Sequence, residues 1–163
     1  MMYDVVALGE LLIDFIQCGK SEKGNPVFEA NPGGAPCNVL AMLNKLGFKT
    51  GFIGKVGKDY FGNMLAETLE KTGISTDGLL YDEEVHTTLA FVNTLPDGDR
   101  DFSFYRNPGA DIMLNPREVS VKMIEECRTF HFGSLSFTDE PAVSPAKLSV
   151  ETAKQAGKML SLD

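Results

Sequence analysis

Apolar and polar positions along this chain change period several times, and each change marks an element. "YDVVALG" (3–9) packs Val5, Val6, Ala7 and Leu8 into one short run ended by glycine, the pattern of a buried strand. "LLIDFIQ" continues as a second extended piece carrying one carboxylate, Asp14. Residues 19–34 read as a loop rich in glycine and proline, with a short strand near Val27–Ala30. A helix is expected from about Pro36, where Val39, Met42, Leu43 and Leu46 repeat at i, i+3, i+4 and i+7 and Gly47 supplies the stop. "KTGFIGKVG" is a strand. "DYFGNMLAETLEKTG" is a second helix, capped by Asp59, with Phe61, Met64, Leu65 and Leu69 inward and Gly73 at its end.

The texture then alters. "HTTLAFVNT" and "RDFSFYRN" alternate with a period of two around "LPDGD", which predicts a hairpin with two distinct faces. Helix and strand resume afterwards. Asn115-Pro116-Arg117-Glu118 carries a cap, a first-turn proline and a capping-box glutamate. "TFHFGSLSF" is a strand, Ser144-Pro145 opens a helix and "KMLSLD" is a strand. Strand–helix alternation of this kind implies an α/β core with a mostly parallel sheet flanked by helices. The segments near 12–30 and 86–107 break the alternation and read as a small β structure beside that core. Ligands of open α/β sheets bind at the carboxyl ends of strands, and the chain stops on such a strand. A piece of a longer protein is therefore expected, with one domain spanning residues 1–163.

Composition narrows the function classes. The chain has 163 residues, 43% hydrophobic and 23% charged, which suits one globular domain with a core. A net charge of −8, with no basic stripe, argues against nucleic acid as partner. No run reaches membrane-spanning length, so no membrane partner is expected. "MMYDVVALGE" lacks the basic start and long apolar stretch of a signal peptide, so a cytoplasmic location is expected. Cys18, Cys37 and Cys127 are odd in number and widely spaced, which fits reduced thiols better than a metal centre or disulfides.

Several residues could carry chemistry. In "GGAPCN", Gly33 and Gly34 lack a Cβ, so their backbone can approach a ligand closely, and Asn38 can donate and accept at once. A tight strand-to-helix turn would require the same glycines. Asp14, inside "LLIDFI", is either an exposed edge position or an acceptor of two neighbouring sugar hydroxyls. Phe102, Phe104, Tyr105 and Arg106 offer aromatic planes and a guanidinium to a sugar, or simply hairpin packing and a surface charge. Cys37 beside the glycines would need a base to act as a nucleophile, and none is in view. His86 and His131 read as structural, and Lys55, Lys58, Glu83 and Glu84 as solvated surface. No Walker A loop exists, because Gly19-Lys20-Ser21 would require glycine where Asp14 stands.

Together "GELLIDF", "NPGGAPCNVLAMLNKLG", "GFIGKVGKDYFG" and "DFSFYRNPGAD" resemble, in order and rough spacing, the N-terminal half of the PfkB-type carbohydrate kinases, whose fold is ribokinase-like. Within that family "FYRNPGAD" followed by "ML" is most similar to bacterial fructokinases. The resemblance implies a sugar kinase that moves the γ-phosphoryl of ATP to a sugar hydroxyl, with fructose as substrate. ATP and Mg2+ are the implied cofactors, and a monovalent cation is a further option. It implies sugar contacts at Asp14, Gly33, Gly34, Asn38, Phe104 and Arg106, no metal ligand in this chain, and a β lid that pairs with that of a second subunit. The catalytic aspartate of the family lies in a G-A-G-D motif, which this sequence does not contain, so catalytic residues are expected beyond Asp163. Other readings are a kinase for 2-keto-3-deoxygluconate or another sugar, and a non-catalytic sugar-binding or dimerisation module.

Overall fold

Tyr3–Leu8 forms strand β1 at the centre of a five-stranded parallel sheet. The computed structural model describes residues 2–94 and 99–163. β1 is flanked by β4 (Thr50–Gly57) and β8 (Cys127–Phe132), and beyond them lie β5 (Ser75–Asp82) and β9 (Met159–Leu162). A parallel sheet covered on both faces needs apolar residues on both, and β4 is buried at every position. Helices α1 (Ala35–Lys45) and α2 (Tyr60–Thr72) cover one face, where Ala7, Leu40, Phe52, Leu65 and Leu69 pack together. The other core joins Val6, Leu8, Ile53, Phe130 and Ala146 under α3 (Val121–Glu125) and α4 (Val143–Gln155).

A second, four-stranded sheet is assembled from two excursions. β2 (Leu12–Lys20) and β3 (Pro26–Gly33) leave the carboxyl end of β1. β6 (Leu89–Thr94) and β7 (Arg100–Tyr105) follow the carboxyl end of β5. Their order is β3-β2-β6-β7, with β2 and β6 parallel and both outer pairs antiparallel. The register gives this sheet two faces. Asp14, Ile16, Ala90, Val92, Phe102 and Phe104 share one. The other carries a ladder of rings: Phe28 meets Phe91, Phe91 stacks on Phe15, and Phe15 meets Phe61 of α2 edge-on at 5.6 Å. That contact seats the small sheet on the core at the edge where parallel strands end.

The architecture is the expected one, with local differences. β5 was not foreseen. Among the described residues it pairs only with β4, at the edge of the sheet, and its positions are mostly part-exposed. β3 extends well beyond Val27–Ala30. α1 buries Pro36, Cys37 and Leu40, whereas Met42 and Leu46 of the expected stripe are 59% and 66% exposed. That helix is apolar on two stripes, and the glycine turn at its start decides which one faces the sheet. The Asn115 cap and Glu118 capping box both form, but they bracket only a single 3-10 turn before α3. β8 ends at Phe132, and Ser134–Phe137 is a further 3-10 turn. Residues 95–98 of the expected "LPDGD" turn lie outside the described residues. Among the described residues no helix is long and apolar enough to cross a membrane.

Candidate functional site

A cleft of about 300 Å3 opens between the small sheet and the carboxyl edge of the core. Leu12, Asp14, Ile16, Val92, Phe102 and Phe104 line it from the lid sheet. Glu10, Gly34, Ala35, Asn38 and Leu135 line it from the core. The two phenyl rings of β7 stack on each other at 5.9 Å and stay about half exposed, so their apolar planes are available to a ligand. Asp14 sits opposite them across the lid face, and Asn38 projects from the first turn of α1. Apolar faces on one side and hydrogen-bonding groups on the other suit a small polyhydroxyl compound.

The floor is shaped by the turn into α1. Gly34, its N-cap, holds φ at +122°, and a Cβ there would run into the carbonyl oxygen of Glu10. Gly33 has an ordinary backbone, but a Cβ on it would overlap Oδ2 of Asp14. The cap has no side chain to accept the amides of the first turn. Glu10 supplies the acceptor instead: its Oε1 accepts from the Ala35 N–H at 2.9 Å. Burial pushes the Glu10 carboxyl above its ordinary value, the bonds from backbone amides oppose this, and the Asp111 charge adds to it.

Of the six residues expected at the site, Asp14, Gly34, Asn38 and Phe104 meet in this cleft. Gly33 lies directly behind Asp14. Arg106 is turned onto Asp111, with its Nη2 2.7 Å and its Nε 2.8 Å from one carboxylate oxygen. Thr88 donates to the other oxygen, which fixes the pair where the lid chain returns to the core. Glu10 and Leu135 were missed. The signal for Glu10 was its place directly after a buried strand, where open α/β sheets collect ligands.

The remaining candidates have structural roles. Burial pushes the Cys37 thiol well up, with the Glu10 charge adding to it, so it stays a protonated, packed side chain. His131 is buried, and its Nδ1 lies 3.0 Å from the Ser161 hydroxyl. His86 is exposed beside Asp59. Lys58 and Glu83 pair at the surface as expected. Lys55 corrects the expectation of a solvated charge. It is 6% exposed, and its Nζ meets Glu118 Oε2 at 2.8 Å and the Met113 carbonyl at 3.1 Å. The inward-pointing pleat of a doubly covered strand leaves it no route to water.

Comparison with known proteins bears on this cleft. The profile described as pfkB family carbohydrate kinase matches residues 2–163. The fructokinase of Solanum tuberosum is 45% identical over 161 residues, covering 98% of this chain and 50% of that protein. The crystal structure of fructokinase from Xylella fastidiosa superposes with a TM-score of 0.91 at 32% identity, over 99% of this chain and 50% of the other. A second structure of fructokinase from Xylella fastidiosa, with bound ATP, gives a TM-score of 0.88 at 32% identity, over 99% and 48%. The chain spans about half the length of the curated relatives it matches.

Proposed function

Since this chain belongs to the pfkB family of carbohydrate kinases, we propose that it carries the sugar site of an ATP-dependent fructokinase, which makes fructose 6-phosphate. The observation that carries this reading is the cleft itself, where Asp14, Asn38 and Phe104 converge over a glycine floor. Asp14 accepts two sugar hydroxyls, Asn38 donates to and accepts from a third, and Phe104 covers an apolar sugar face. Gly34 lets the backbone come close, and Gly33 leaves room for the Asp14 carboxylate. Arg106 reaches the sugar through Nη1 while Asp111 holds its other nitrogens. The lid sheet excludes water, which would otherwise compete as phosphoryl acceptor.

ATP and Mg2+ are proposed for the whole protein. Among the described residues no three His, Cys, Asp or Glu side chains are grouped to hold a metal ion, so no step through Mg2+ is derived from them. A cytoplasmic location is proposed, supported by the ATP that such a reaction consumes. The β lid is proposed to pair with that of a second copy, forming a lid-to-lid dimer.

The alternative reading is a module that binds sugar without turning it over. Calorimetric titration with fructose and an ATP-dependent phosphorylation assay separate the two. Under the first reading a protein carrying this chain phosphorylates fructose, and Asp14→Ala weakens fructose binding by about 100-fold, the loss of two hydrogen bonds to a charged acceptor. Fructose binding with no turnover in any longer form supports the module. Preference for a keto-acid sugar overturns fructose as the substrate.

A further inference from the structure

Glu10 is 5% exposed, and nothing in the proposed sugar chemistry uses it. A carboxyl group this buried needs a reason, because desolvation opposes it unless hydrogen bonds compensate. One oxygen has a partner in the Ala35 amide. The other, Oε2, is buried with no hydrogen-bond partner among the described residues. Three neighbouring positions are shaped around this side chain and its backbone. Gly34 holds a positive φ, and a Cβ there would strike the Glu10 carbonyl. Gly133, just past β8, leaves space for both Pro36 and Oε2, since a Cβ there would stand 2.9 Å from Pro36 Cγ and 3.2 Å from Oε2. Pro36 has no N–H, so the amide that Glu10 takes up is the one the helix start offers first.

We propose that Glu10 is the positioning residue of the cleft: reaching from the end of β1, it caps α1 from outside and fixes the direction in which Asn38 faces Asp14. The consequence for ligand binding rests on the sugar-site reading, whereas the capping itself does not. The side chain acts as an acceptor through Oε1, which takes the Ala35 amide, while burial and the nearby Asp111 charge raise its carboxyl above the ordinary value. Arg106 is the one cation whose charge acts on it in the opposite sense. A glutamine, neutral and of the same length, keeps the Oε1 acceptor. An alanine removes it.

The test compares Glu10→Gln, Glu10→Ala, Asn38→Ala and the double variant Glu10→Ala/Asn38→Ala. It measures hydrogen exchange at the Ala35 amide by NMR, together with fructose titration. Glu10→Gln is expected to keep Ala35 protected and fructose affinity within about threefold of wild type. Glu10→Ala is expected to lose that protection and to weaken fructose by about tenfold. In an Asn38→Ala background the same change is expected to cost nothing further, since its effect runs through Asn38. The proposal is overturned if Ala35 stays protected in Glu10→Ala, if Glu10→Gln loses as much affinity as Glu10→Ala, or if the two losses simply add. Should Glu10→Ala not fold, Glu10→Gln decides alone: Ala35 protected and affinity within about threefold of wild type supports the proposal, and a loss of tenfold or more overturns it. If the wild type does not bind fructose while Ala35 protection still follows the Glu10 acceptor, the sugar reading fails and the capping stands.

Discussion

Replacing Asp59 by alanine should loosen the lid from the core. Asp59 caps α2: its Oδ1 accepts from the Gly62 N–H at 2.8 Å. The same carboxylate takes both donors of Thr87, the hydroxyl on Oδ1 and the amide on Oδ2, each at 2.8 Å. Thr87 is 4% exposed, lies two residues before β6, and its hydroxyl in turn accepts from the Gly57 N–H at 3.0 Å. Loss of an N-cap costs about 1 kcal/mol, and each Thr87 bond to the charged carboxylate about 1.5 kcal/mol. Because the three share one side chain, about 3 kcal/mol is a fair expectation for the whole. In a domain of this size that corresponds to a fall in Tm of roughly 6–12 °C. The assay is thermal unfolding at pH 7 of wild type, Asp59→Ala, Thr87→Val and the double variant. Asp59→Ala and Thr87→Val should be strongly coupled, since they remove opposite ends of one bond. Burial alone would raise the Asp59 carboxyl, but the Thr87 and Gly62 amides outweigh it and hold it below its ordinary value. Its contribution is therefore present at neutral pH and fades only as pH falls below the ordinary carboxylate range. A Tm fall under about 2 °C for Asp59→Ala, or costs that add without coupling, would refute the latch.

Three further outcomes are expected. Gly33→Ala should displace the Asp14 carboxylate, weakening fructose by about tenfold with a small effect on Tm, because Gly33 has no strained φ; unchanged affinity in a titration would separate Gly33 from the site. Lys55→Met should destabilise by about 2–3 kcal/mol, since it strands Glu118 beside Asp82 without their cation, and chemical denaturation measures it. Burial holds the His131 imidazole below its ordinary value, so the unfolded chain takes up the proton first as pH falls. Stability should thus decline from about pH 6.5 downward, and His131→Phe should show a flatter profile than wild type in urea titrations at pH 7.5 and 5.5.

Periodicity disclosed the alternating core and a small β structure beside it because both rest on contiguous local patterns. It failed where tertiary context decides. β5 carries Asp77 and Gly78, and the glycine is there because a Cβ would press within 2.7 Å of the Phe52 carbonyl oxygen, a constraint from β4 that no local window contains. Lys55 was misjudged one letter at a time. Read as part of "GFIGKVG", a strand covered on both faces, its burial and need for anions follow. Asp14 and Asn38 were legible as chemistry, but that Arg106 would face Asp111 depends on the path of the lid chain back to the core, which residue types do not encode.

The glycine pair shows why a sequence can point to a site without separating fold from function. Two explanations competed for it, a sharp backbone turn and the close approach of a ligand. The structure gives the two residues different neighbours. Gly34 is demanded by the fold, since its φ of +122° and the Glu10 carbonyl leave no room for a side chain. Gly33 has no such backbone need, and what it accommodates is the Asp14 carboxylate. Neighbouring glycines thus answer to different pressures, one conformational and one chemical. The two substitutions should accordingly diverge: alanine at position 34 disturbs the start of α1 and with it stability, whereas alanine at position 33 displaces the Asp14 carboxylate.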